Sequence, residues 1–177
     1  MKSGTDSYLA TSNAFTSSLT LAEECIEQKN YRHAEVLLKN AIWVRTKKDE
    51  LIVNKEPVEE VLLGKLYWEM GEKRESLIQL REANRLYRNR GLLYINGSED
   101  TPMALNRYHC ILLRYLAIAE RDNGTMPPSR IYNELLIPAY NFYTVNELED
   151  DPEFQILKEL KNSLYARIQR AGYFGLF

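Results

Sequence analysis

The sequence predicts an all-α protein: a stack of antiparallel helical hairpins, or α-solenoid, with a C-terminal capping helix. Apolar residues recur at steps of three and four along most of the 177 residues, and no stretch shows sustained two-residue alternation. The 8 glycines and 6 prolines are too few for the many tight turns of an all-β fold. Short polar breaks separate the apolar stripes, so consecutive helices are expected to pack antiparallel.

The N-terminal half is predicted to hold two hairpins. A polar segment, residues 1–13, is expected to be flexible. The first hairpin spans about 15–48, with a polar break at residues 28–30 between its two stripes. A charged segment, 46–57, then interrupts the pattern, and the second hairpin follows at about 57–90.

The C-terminal half is predicted to be less regular. A degenerate hairpin is expected near 102–145, with Thr101 as its N-cap and Pro102 at the first helical position. Pro138 is expected to break or kink the second helix of this hairpin, because proline lacks the N–H group that an α-helix needs.

A capping helix is predicted near 151–170, with Asp151 as its N-cap. The chain then ends in an apolar tail, 173–177, which either folds back over the last hairpin or docks on a second copy or a partner. Fold-back is favoured because the end of a helical stack must be covered. Residues 14–172 are expected to form a single domain.

An internal repeat relates the two N-terminal hairpins. Aligning Lys29 with Gly71 gives an offset of 42 residues (71 − 29). Small residues then meet small residues, which is what close helix crossing requires. The matched pairs are Ala22 with Gly64, Ala34 with Ser76, Ala41 with Ala83, Leu38 with Leu80, and Cys25 with Tyr67.

The second copy resembles the tetratricopeptide repeat (TPR). It carries that family's small, aromatic and glycine positions as Gly64, Tyr67 and Gly71, followed by Ser76 and Ala83. The first copy departs from the pattern, with Cys25 for the aromatic residue and Lys29 for glycine. Since the family repeats about every 34 residues, the offset of 42 implies an insertion of about 8 residues, placed in segment 46–57.

A second resemblance is to the N-terminal TPR domain of a scaffold subunit of the anaphase-promoting complex. It is carried by the run Lys29-Asn30-Tyr31-Arg32-His33-Ala34 and by the order of first repeat, charged insertion and further repeats. It implies a homodimeric structural subunit of a larger assembly.

The TPR resemblance also implies where a partner binds, because the family lines a concave groove with the first helix of each repeat. Trp68 either lies in this groove or packs under the insertion or the C-terminal helix. Lys and Asn, which hold the carboxylate of chaperone tails in the family, are replaced by Leu19 and Glu23, so that ligand is not expected. The groove positions are Leu19, Glu23, Ile26, Val61, Lys65 and Trp68, to which the third hairpin adds Arg114, Ile118 and Arg121.

Charge and cysteine usage remove several classes of function. The net charge of −2, from 23 basic and 25 acidic residues, gives no general attraction to nucleic acid or to an anionic membrane. Cys25 and Cys110 form neither a zinc-binding spacing nor a disulfide framework, which favours a reducing compartment. No segment is long and apolar enough to span a bilayer. An intracellular protein, cytoplasmic or nuclear, with no cofactor and no metal is expected.

Catalysis is the function that the sequence favours least. His33 and His109 are the only two histidines. His109 and Cys110 are neighbours on a predicted helix, and neighbours point about 100° apart, so Cys110 is expected to pack in the core. No glycine-rich phosphate loop, Gly-x-Ser-x-Gly turn or His-Glu-x-x-His motif occurs.

Four arginines, Arg81, Arg85, Arg88 and Arg90, lie beside Tyr87 at the end of the second hairpin. Three of them share a helix face and could meet phosphate or an acidic peptide. The favoured interpretation is a solvated last turn whose cations complement the helix dipole.

The function expected from these patterns is that of a protein–protein interaction adaptor or scaffold. Its groove would capture a peptide or helix of another protein. The two alternatives are a homodimeric structural subunit of a larger assembly, such as a TPR subunit of the anaphase-promoting complex, and a nucleic-acid-binding helical repeat.

Overall fold

The computed structural model describes residues 18–47, 56–89, 106–123 and 125–174. In these ranges the protein is helical and contains no strand, which confirms the all-α prediction there. None of the described helices combines the length and the apolar character that crossing a bilayer requires. Four predictions lie outside the described residues, wholly or in most of their length: the flexible segment 1–13, the insertion 46–57, the helix start at Thr101 and Pro102, and the apolar tail 173–177.

The chain divides into two compact units, Met1–Gly91 (unit 1) and Leu92–Phe177 (unit 2). The described residues of unit 1 form four helices, and α3 packs against both α2 and α4. The bounds are 18–27 for α1, Tyr31–Lys47 for α2, Val58–Glu69 for α3 and Lys73–Asn89 for α4.

The turns that close the two hairpins of unit 1 have the same backbone geometry. Lys29 and Gly71 both adopt left-handed conformations, with φ of 59° and 80°. This conformation lets backbone N–H groups reach carbonyls at the end of the first helix. At the offset of 42, the N–H groups of residues 28, 29, 30 and 34 bond to the carbonyls of 24, 26, 25 and 30, and those of 70, 71, 72 and 76 bond to the carbonyls of 66, 68, 67 and 72.

Small residues bring α3 and α4 into close contact. A Cβ atom added to Gly64 would lie 2.6 Å from Leu80 Cδ2 and 3.3 Å from the Leu80 backbone nitrogen. The Ser76 hydroxyl donates a hydrogen bond of 2.8 Å to the Gly64 carbonyl across the same contact. In the first hairpin the corresponding positions are Ala22 and Ala34, and both side chains are buried.

A buried group of charges joins the end of α2 to the start of α3. Arg45 Nη2 donates to Glu60 Oε1, and Arg45 Nε lies 3.8 Å from Glu59 Oε1. All three side chains are buried. Removing one charge from such a group would leave the others in a low-dielectric environment, which is costly.

Unit 2 contains α5 (Arg107–Asn123), a helical turn α6 (Pro128–Arg130), a π-helical segment (Ile131–Leu136), α7 (Ile137–Val145) and α8 (Pro152–Phe174). The π-helical segment packs against α5, and α8 packs against α6, α7 and the π-helical segment.

Side-chain caps mark two helix starts in unit 2. Asn106 Oδ1 accepts a hydrogen bond of 2.9 Å from the His109 N–H at the start of α5. Asp151 Oδ1 accepts one of 2.8 Å from the Glu153 N–H, which confirms the predicted cap of the last helix. The last helix, α8, extends to Phe174, four residues beyond the predicted end.

Pro138 was expected to break or kink its helix; helical structure continues through it, and the helix changes from π-helical to α-helical just before it. The six residues before α7 are π-helical, and the Ile137 N–H bonds to the Tyr132 carbonyl five residues earlier. This wider turn shifts the hydrogen-bond register where a regular α-helix would need the N–H group that Pro138 lacks.

Candidate functional site

The groove residues predicted in unit 1 divide into two groups by burial. Leu19, Glu23, Lys65 and Trp68 are partly exposed. Ile26 and Val61 are buried in the core of their own unit, with Val61 fully inaccessible. These two side chains stabilise the unit and present no surface to a partner.

Arg114, the predicted groove residue from the third hairpin, lies in unit 2. Its side chain is buried, and its Nη2 is 2.5 Å from Glu153 Oε2 on α8. Its guanidinium carbon also lies 4.4 Å from the centroid of the Tyr115 ring. Arg114 therefore anchors α8 to α5. Of the two accompanying positions, Ile118 is partly exposed and Arg121 pairs with Asp122 at 2.9 Å.

Trp68 is the aromatic residue among the partly exposed residues of the predicted groove. Lys73 Nζ lies 5.4 Å from the centroid of its ring, a distance at which an ammonium group is attracted to the ring face. Lys65 is three residues before Trp68, so both project from the same face of α3. The result is an accessible aromatic side chain with two ammonium groups nearby.

The α2–α3 contact beside this groove is held by polar side chains. Glu35 Oε1 accepts hydrogen bonds from Lys39 Nζ at 2.6 Å and from the Tyr67 hydroxyl at 2.9 Å. The bonds from Lys39 and then Tyr67 lower the pKa of Glu35. Burial, followed by the bond to Glu35, raises the pKa of Tyr67.

A second exposed surface, which was not predicted, lies on the outer side of α2. Trp43 is 61% exposed and Val36 is 52% exposed. Helical spacing places both opposite the buried residues Ala34, Leu38 and Ala41, a signal that was available from the sequence. We call this surface the α2 outer face, and it consists of Arg32, Val36, Lys39, Asn40, Trp43 and Lys47.

The arginine patch near the end of α4 is partly neutralised. Arg85 donates from Nε and Nη2 to the two carboxylate oxygens of Glu82, at 2.7 and 2.6 Å. The hydrogen bonds from Arg85 lower the pKa of Glu82. Arg81 and Arg88 are exposed, and Arg90 lies outside the described residues.

Each unit contains one cysteine and one histidine close to each other. Cys110 and His109 are buried in unit 2, where burial raises the pKa of Cys110 to about 12 and lowers that of His109 to about 4. The prediction that Cys110 packs in the core is confirmed. In unit 1, Cys25 Sγ lies 3.7 Å from His33 Nδ1, a pair that was not predicted. The thiol of Cys25 is buried, so it offers little surface to a substrate.

Unit 2 also contains a cavity of about 250 Å³ between the end of α5, the segment 125–128 and α8. Arg121 and Arg167 contribute to its lining together with apolar side chains. Within the described ranges, no group of three or more His, Cys, Asp and Glu side chains is placed to hold a metal ion.

Unit 1 thus has two separate candidate surfaces. One contains the exposed groove residues Lys65 and Trp68, and the other is the α2 outer face. Comparisons with protein-family models, with curated proteins and with solved structures find no match for this chain.

Proposed function

We propose that this chain is a TPR-like protein–protein interaction domain that captures a peptide or helix of a partner protein. The exposed part of the groove in unit 1, Leu19, Glu23, Lys65 and Trp68, binds the partner. The chain acts as an adaptor or scaffold and needs no cofactor for this role.

The observation that carries the proposal is the repeated hairpin of unit 1. The backbone hydrogen bonds of its two turns match at an offset of 42 residues, and the matched small residues are buried in both copies. Repeated hairpins of this kind present one side of each first helix along a continuous surface, which suits an extended or helical ligand.

The side chains of the groove favour a particular type of ligand. Trp68 offers a large apolar contact area, and tryptophan is enriched among residues that dominate binding energy. Lys65 and Lys73 place positive charge beside it, whereas Glu23 places negative charge on α1. A segment with an apolar side chain next to a carboxylate would meet both Trp68 and the ammonium groups.

Affinity purification from a cell extract, followed by mass spectrometry, tests the proposal. The bait is the full chain, either unchanged or carrying Lys65→Ala and Trp68→Ala together. We expect proteins retained by the unchanged chain to be lost from the double variant. A synthetic peptide from a retained protein should then bind the unchanged chain at least about tenfold more tightly than the double variant.

Trp43→Ala with Lys47→Ala is the matched control, because it also removes one tryptophan and one lysine from a helix of unit 1 and leaves the Glu35–Lys39 ion pair intact. This variant should retain the same proteins, and circular dichroism should show equal helix content in all three chains. Capture that survives in the Lys65 and Trp68 variant, or fails equally in both variants, would contradict the placement of the site.

A further inference from the structure

The α2 outer face carries positive charge around two apolar side chains. Arg32, Val36, Trp43 and Lys47 fall within about 60° of one another around the helix axis. Val36 and Trp43 are two turns apart, about 10.5 Å along the axis, and the two cations stand at either end. Neither Arg32 nor Lys47 forms an ion pair with another described residue, whereas Lys39 is paired with Glu35 at 2.6 Å.

Unit 2 presents a surface of the opposite charge at the turn between α7 and α8. We call residues 145–150 the acidic turn. Val145 is 80% exposed and Leu148 is 41% exposed. The carboxylates of Glu147, Glu149 and Asp150 are exposed between and beside them, and none forms an ion pair within the described part of the chain.

The acidic turn is held in one shape by its backbone. Glu147 adopts a left-handed conformation with φ of 57°, and the Leu148 N–H donates to the Tyr143 carbonyl at 2.9 Å. The Asp151 N–H donates to the Leu148 carbonyl at 3.1 Å, and Gln155 Nε2 donates to the Glu149 carbonyl at 3.2 Å. A preformed turn loses little conformational entropy when it binds.

We propose that the α2 outer face of one copy binds the acidic turn of a second copy, so that the chain associates with itself. The contact would bury Val36 and Trp43 against Val145 and Leu148, with Arg32 and Lys47 beside the carboxylates of the turn. Each side supplies two apolar residues and unpaired charges that the other side complements.

A second copy is the occupant because the complementary surface is on this same chain. Each copy carries both halves of the contact, so a copy can bind the turn of one neighbour with its α2 and offer its own turn to the α2 of a neighbour. Each contact alone is small, and small contacts give weak association that depends on protein concentration. The inference goes beyond the proposed function, since the groove at Lys65 and Trp68 takes no part in it.

The test measures molar mass by light scattering over a concentration series at low salt. We expect the unchanged full chain to shift from monomer toward dimer or larger species as its concentration rises. Raising the salt concentration should weaken this association, because exposed charges are screened.

Two charge-reversed variants test the surfaces directly. Arg32→Glu with Lys47→Glu makes α2 acidic, and Glu149→Lys with Asp150→Lys makes the turn basic. Each variant alone would place like charges in contact, so its dissociation constant should rise at least about tenfold. An equimolar mixture should associate again, because the altered α2 meets the altered turn while the natural turn meets the natural α2.

Lys65→Glu with Lys73→Glu is the matched control, since it reverses two lysines of unit 1 outside the proposed contact. This variant should associate like the unchanged chain, although it should lose partner capture. The variant with Arg32→Glu and Lys47→Glu should show the opposite behaviour. A chain that remains monomeric at every concentration would overturn the inference, as would association unaffected by reversal or not recovered in the mixture.

Discussion

The two hairpins of unit 1 have the same turn but different packing where their helices cross. In the second hairpin Gly64 lets Leu80 approach to a distance that a Cβ atom would not allow. The first hairpin has Ala22 at the equivalent position, so a methyl group is accommodated there. The same backbone turn therefore tolerates two different helix contacts.

The hairpins also differ in the residue that adopts the left-handed conformation at the turn. Gly71 adopts its left-handed conformation without a side chain, whereas Lys29 adopts nearly the same φ with one. A non-glycine residue in this region is disfavoured by contact between Cβ and the backbone. The first hairpin thus has a turn that its sequence does not favour, and its packing must offset the conformational strain at Lys29.

The largest expected effect on stability comes from Arg45, which pairs with charges on α3. In the second hairpin the equivalent position is Tyr87 (45 + 42). Arg45→Met should lower the free energy of unfolding by about 3–5 kcal/mol, since Glu59 and Glu60 would remain buried without their arginine. Urea unfolding followed by tryptophan fluorescence measures this in unit 1, which contains both tryptophans.

The triple variant Arg45→Met, Glu59→Gln, Glu60→Gln serves as the control, because it removes all three charges together. It should recover a substantial part of the lost stability. A cost below about 1 kcal/mol for Arg45→Met alone would mean that the two carboxylates are stabilised in another way.

Gly64 is expected to give the next largest effect. Gly64→Ala places a methyl group 2.6 Å from Leu80 Cδ2 and should destabilise unit 1 by about 1–3 kcal/mol. The reciprocal change, Ala22→Gly, adds no clash and should cost about 1 kcal/mol through helix propensity. The same urea experiment measures both variants, and a Gly64→Ala variant as stable as the unchanged chain would show that Leu80 moves aside to admit the methyl group.

The turn residues are expected to give the smallest effects, and of opposite sign. Gly71→Ala should destabilise unit 1 by about 1 kcal/mol through backbone strain alone, since no atom beyond the two adjacent residues lies within 4 Å of the added Cβ. Lys29→Gly should stabilise it by about 1 kcal/mol, because glycine removes the strain. A loss of stability in Lys29→Gly would show that the lysine side chain contributes more than its backbone costs.

The helices of unit 1 can be predicted from the sequence, whereas its exposed surfaces cannot. The periodic stripes predicted α1 to α4, and the offset of 42 aligned Lys29 with Gly71, which the structure places in matching turns. By contrast, the family pattern assigned Val61 and Arg114 to a groove, although both are buried. Position within a repeat does not determine exposure, because burial depends on which neighbouring helices cover a side chain.

The amino-acid sequence by itself determined the local structure of this protein, since helical periodicity, polar breaks and caps such as Asp151 act over a few residues. Only the tertiary structure decided how those helices use their charged and apolar side chains. It placed Arg45 against Glu59 and Glu60, and it left Trp43 and Val145 exposed. The physical reason is that pairing and exposure are set by contacts between segments far apart in the chain, whereas the signals that mark a helix, its apolar period and its caps, lie within a few residues of one another.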